Sequence, residues 1–137
     1  MRMRFALGLA EAEAAIKAGH EEARRQGWLV TVAVVDDSGA VIQLSRMDEA
    51  TPASVDAAIG KARSAALTGV DTKILEAMVK DRPALTTMDR IAIEGGLPVL
   101  HQRQRVGGIG VSGVQSHQDA QVASAAFAAL TGAIAAA

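Results

Sequence analysis

The chain has 137 residues, 50% apolar and 21% charged, with 14 Lys and Arg against 15 Asp and Glu. That length supports one domain with its own core and is too short for two ordinary ones, so residues 1–137 read as a single domain. An even charge balance and an aromatic set limited to Phe5, Trp28 and Phe127 argue against nucleic acid as a partner, and the absence of cysteine removes disulfides, thiolate nucleophiles and Cys-based zinc sites.

The opening stretch MRMRFALGLAEAEAA has basic residues and a brief apolar patch, but Glu11 and Glu13 interrupt it too early for a secretory signal. No apolar run approaches the roughly 20 residues that span a bilayer. The expectation is a cytoplasmic protein with no membrane partner. Helical spacing of Leu9, Ala12, Ile16 and Ala23 predicts a helix over 7–25, closed by Gly27 at its C′ position. His20, four residues after Ile16, falls on its apolar face.

Two β-rich runs follow, 29–35 and 41–46, around the turn formers Asp36, Asp37, Ser38 and Gly39, which predicts a hairpin. A second helix is expected from Thr51 as N-cap and Pro52 at N1 to Gly69, with Val55, Ile59, Ala62 and Ala66 as its buried stripe. DTKILEAMVKD is a shorter helix that stops at Arg82–Pro83, because the residue before proline avoids α geometry. Residues 84–94 carry no clear period. Residues 97–101 and 105–112 suggest a second hairpin, and Ser116 with Asp119 has capping-box spacing for an Ala-rich last helix. The order α, ββ, αα, ββ, α fits an α+β fold, a mostly antiparallel sheet with helices packed on it.

Within VGGIGVSG lies a literal G-x-G-x-x-G. A dinucleotide fingerprint needs a helix opening on the glycines and a second βα unit beyond, and neither fits here. Strand alternation instead places Gly108, Gly110 and Ser112 on one face, with Ile109 and Val111 on the other. That bare face is expected to receive the Ala-rich last helix, with contact to a flat ligand as the alternative.

VAVVDDSGAVIQLSRMDEA, KARSAA, GGLPVL and VGGIGVSGVQSHQDAQVA, in this order and spacing, resemble the GlcG/HbpS-like family, the haem-degrading domain family. The resemblance spans nearly the whole chain. It implies a profilin-like sandwich with an antiparallel sheet that assembles into dimers or larger rings, and members linked to haem, corrinoid or iron. A few members resemble lyases of aromatic catabolism. Two positions depart from the family pattern. Glu49 stands where the family commonly has glycine, adding a carboxylate beside the expected pocket, and Gln102, Arg103 and Gln104 form a turn that often carries glycine, which predicts a long or irregular connection.

Several residues are candidates for chemistry. Arg46, in phase with Ile42 and Leu44, would point to the apolar side and could clamp a ligand carboxylate, pair with Asp48 or snorkel from the strand end. His20 and His101 are candidate axial nitrogens for haem, the one cofactor considered, against ordinary packing roles. Lys61, matching the family's KA pair, could donate to an anionic ligand. Glu94 is the best-placed carboxylate for acid–base work, with His117 at the start of the last helix as a second proton carrier. The three histidines are too widely spaced for a zinc motif, so no metal site is expected. These residues support three readings: a binding protein for haem or a related planar anion, a cofactor-free lyase or isomerase acting on a small carboxylic acid, or an accessory subunit whose role is assembly.

Overall fold

The computed structural model describes residues 1–137. Its elements run α1 (Leu9–Gln26), β1 (Thr31–Asp36), β2 (Val41–Arg46), α2 (Ala53–Thr68), α3 (Thr72–Asp81), a 3-10 turn at Pro83–Met88, β3 (Gly96–His101), β4 (Gln104–Ser112) and α4 (Ser116–Ala136). The four strands form one antiparallel sheet in the order β2-β1-β4-β3. This is the predicted architecture, with boundaries displaced by one or two residues.

Helices cover both faces. Against one face lie α1 and α4, and between them and Val30, Val32, Val34, Ile109 and Val111 sits the main core. Against the other lies α2, through Ala58, Ala62 and Ala66 over Ala33 and Val35. Small residues on both surfaces allow this approach. A Cβ on Gly110 would collide with the Ala58 carbonyl and one on Gly108 with the Ala62 carbonyl. The bare glycine face thus receives a helix, but it is α2 rather than the last helix, because Ala58 and Ala62 repeat at helical spacing directly above it. Gly108 and Gly110 are filled by backbone and line no open cleft.

The buried stripe of α1 is the expected one apart from its first residue, whereas that of α2 is rotated. In α1, Ala12, Ala15, Ile16, Gly19, His20 and Ala23 are buried, whereas Leu9 is 55% exposed. In α2 the buried set includes Lys61 together with Ala58, Ala62 and Ala65, while Val55 and Ile59 are only half-buried. The helix turns its alanines, not its larger side chains, toward the glycine face because only they fit there.

Two turns matter. The connection from β3 to β4 is no long loop: His101 pairs with Gln104, and Gln102 (φ 49°) and Arg103 (φ 67°) make a tight two-residue turn. Positive φ at both central residues is the type I′ geometry that matches strand twist, and the sheet imposes it without glycine. Glu49 also has positive φ, 67°, a backbone shape that glycine adopts without strain. In β1–β2 the register slips at Ile42, which faces the main core while Leu44 packs toward α2. This bulge breaks the phase that tied Arg46 to Ile42. α4 is long and apolar enough by length and composition to cross a membrane, contrary to the expectation of no such run. Here its inner side, Val122, Ala123, Ala126 and Leu130, is part of the core.

Candidate functional site

At one end of the sheet Thr31 is in register with both Arg46 and Ser112. Two clefts open there, and between them they gather His20, Arg46, Asp48, Lys61 and Ser112.

The first, about 450 Å³, is lined by His20, Arg24, Leu29, Ser45, Arg46 and Met47, together with Asp48. The last two turns of α1 supply His20 and Arg24, the connection to β1 supplies Leu29, and the end of β2 with the residues after it supplies the rest. His20 is 8% exposed, and its Nε2 lies 3.2 Å from the Ser45 carbonyl oxygen. A carbonyl only accepts, so Nε2 carries the proton and Nδ1 keeps the lone pair. Desolvation lowers the pKa below the ordinary 6.5, helped by Arg24 and opposed by the Ser45 hydrogen bond. The imidazole is therefore neutral at neutral pH. Arg46 is exposed at the strand end, not turned into the apolar layer. Neither Arg24 nor Arg46 is in an ion pair, so the alternative of an Arg46–Asp48 pair is not realised, and the chain's ion pairs involve other residues. Glu49 is exposed and lies outside the cleft lining.

The second cleft, about 570 Å³, lies between α2, residues 90–93 and the start of α4. At its base is a buried ion pair, Lys61 Nζ to Asp119 Oδ2 at 3.0 Å, with Nζ also donating to the Val111 carbonyl at 3.0 Å. Asp119 Oδ1 accepts from the Val114 N–H at 3.2 Å. Burial pushes the Asp119 carboxyl up, against the pull of Lys61 and the Val114 hydrogen bond, and Glu94 adds to the push. Ser116 was expected to cap α4, with Asp119 at N3. That task belongs instead to Gln115, whose N–H donates to Gln118 Oε1 at 3.1 Å. A signal for its inward role was available: Asp119 is in helical phase with Val122, Ala123 and Ala126.

The remaining candidates are dispersed. Glu94 lines neither cleft, and its carboxylate lies 4.0 Å from Lys73. His117 is exposed on the first turn of α4. His101 stacks edge-on with Phe5, ring centroids 4.6 Å apart, beside Leu7 and Val106. Glu94 and His117 thus share no cleft with Arg46, and of the candidate proton carriers it is His20 that does.

The chain is thus a single-domain sandwich of helices on an antiparallel sheet, with a neutral histidine and two unpaired guanidiniums in one surface cleft. A family model described as "Haem degrading protein HbpS-like" matches residues 7–128, and the chain belongs to this family. It is 44% identical over 114 residues to "Protein GlcG" of Escherichia coli (strain K12), covering 82% of this chain and 85% of that one. The crystal structure of a double mutant of HbpS from Streptomyces reticuli has a TM-score of 0.89 and 34% identity, covering 93% of this chain and 89% of its own. The crystal structure of a PduOC:haem complex has a TM-score of 0.86 and 26% identity, covering 91% and 95%.

Proposed function

We propose that the protein binds haem or a closely related planar anion in the His20–Arg46 cleft. The observation that carries this reading is a buried, neutral imidazole, with one nitrogen still a lone-pair donor, beside two guanidiniums that no carboxylate of the chain engages. The donor set fits the group. Neutral imidazole is a common axial ligand for haem iron, and unpaired arginines suit its carboxylates. Leu29 and Met47 offer apolar surface to the ring, and a cleft of about 450 Å³ lies within the range of roughly 300–1,000 Å³ typical of ligand sites. Bound there, haem would supply a redox-active iron, and the chain would supply the nitrogen of His20 and the charge of Arg24 and Arg46. Membership of an HbpS-like family, and likeness to a protein solved as a haem complex, support the same choice. Assembly with further copies of the chain belongs to the same reading.

Hemin titration tests it. A saturable Soret change with one site per chain is expected, lost in His20→Ala, weakened in Arg46→Gln and retained in His101→Ala. No Soret change at micromolar hemin, or an unchanged response in His20→Ala, would overturn the assignment.

A further inference from the structure

The Lys61–Asp119 pair is poorly explained as a stabilising device. A buried ion pair rarely contributes more than an apolar pair of the same volume, because desolvation offsets the attraction. Its surroundings suggest another use. An ammonium has three donors, and Lys61 spends two, on Asp119 and on the Val111 carbonyl. The side chain is only 4% exposed, and what is exposed borders the second cleft. With two acceptors around it, one of them a carboxylate, Nζ has one N–H left to donate toward the cleft.

The rest of that cleft is complementary to an anion with an apolar body. Ser112 and Ser116 line it with hydroxyls, and the first turn of α4 leaves backbone N–H groups without intrahelical partners at the same end. Arg90 stands at the rim with its guanidinium bonded only to the Asp89 carbonyl, at 3.2 Å. Ile91, Ile93 and Val114 form apolar wall. Asp119 offers no net repulsion, since Lys61 neutralises it, and Glu94 faces Lys73 outside the lining. Glycine is required at Gly95, where a Cβ would lie 3.0 Å from Lys61 Nζ and 3.1 Å from the Asp119 Cβ, so the backbone itself makes room for the pair.

We infer that this cleft is a second ligand site, separate from the His20–Arg46 cleft, that takes a small monocarboxylate with an apolar body, held by the free N–H of Lys61, the Ser112 and Ser116 hydroxyls and Arg90. Lys61 and Asp119 act as a unit, the carboxylate fixing the ammonium in place for the incoming anion.

Butyrate is a suitable probe, followed through amide shifts of the ¹⁵N-labelled protein, with butyramide as its uncharged counterpart. Saturable shifts confined to residues 57–61, 90–93 and 111–119 are expected with butyrate and not with butyramide. Arg90→Gln and Ser116→Ala, both surface changes that leave the buried pair intact, should each weaken binding by about tenfold, the scale of one charge-assisted hydrogen bond. Arg46→Gln should leave it unchanged, which separates this site from the haem reading. Absence of saturable shifts, equal shifts with butyramide, shifts centred on His20, or full affinity in both Arg90→Gln and Ser116→Ala would each overturn the proposal.

Discussion

Burial makes His20 a source of pH dependence. Its folded pKa lies below the ordinary 6.5, so between the two values the unfolded chain binds more protons than the native one. The contribution is fully present above pH 6.5 and declines as pH falls through the window toward the folded value. Urea unfolding should therefore give a lower midpoint at pH 5.5 than at pH 7.5, and His20→Gln should narrow that difference. Glu49 stores a different cost. A non-glycine residue at φ 67° pays for its Cβ, so Glu49→Gly should stabilise the chain by about 1 kcal/mol, roughly 3–5 °C in Tm. Thermal unfolding followed by circular dichroism checks it. The departure from the family glycine is thus first a backbone matter, since the Glu49 carboxylate stands outside both clefts.

Among the elements, α2 on β4 decides most of the architecture. Helix backbone rests directly on glycine backbone, with no side chain between that could yield. Gly110→Ala should cost about 3 kcal/mol or more, because the obstacle is a carbonyl of a packed helix and not a flexible side-chain end. Denaturant titration measures it, and a loss below 1 kcal/mol would mean that α2 can lift off the sheet. The same packing explains why Lys61 is buried. On a helix whose inner face must be small residues, its long side chain passes beside the sheet and reaches Asp119 of α4. Strand alternation made the bare glycine face legible, as did the helix over it. Which helix was not legible, because Ala-rich stretches occur in both α2 and α4 and composition does not distinguish them.

For the whole molecule, apolar side chains remain on the surface, among them Leu29, Ile74, Met78, Ile93 and Leu100. Apolar groups left exposed in patches mark surfaces that other chains cover. Light scattering should report a mass above the 14.1 kDa of one chain, and a 14.1 kDa species at micromolar concentration would contradict assembly. Element order, the antiparallel sheet, the placement of His20 on a buried helix face and the rejection of a dinucleotide site all follow from periodicity and turn chemistry, which are local along the chain. The pairing of Lys61 with Asp119 and the meeting of His20 with the Ser45 carbonyl are contacts between residues far apart in sequence. So are the bulge that puts Ile42 and Leu44 on opposite faces of the sheet and the choice of α2 over α4. Such contacts depend on how closely two surfaces approach, and only packing in three dimensions decides that.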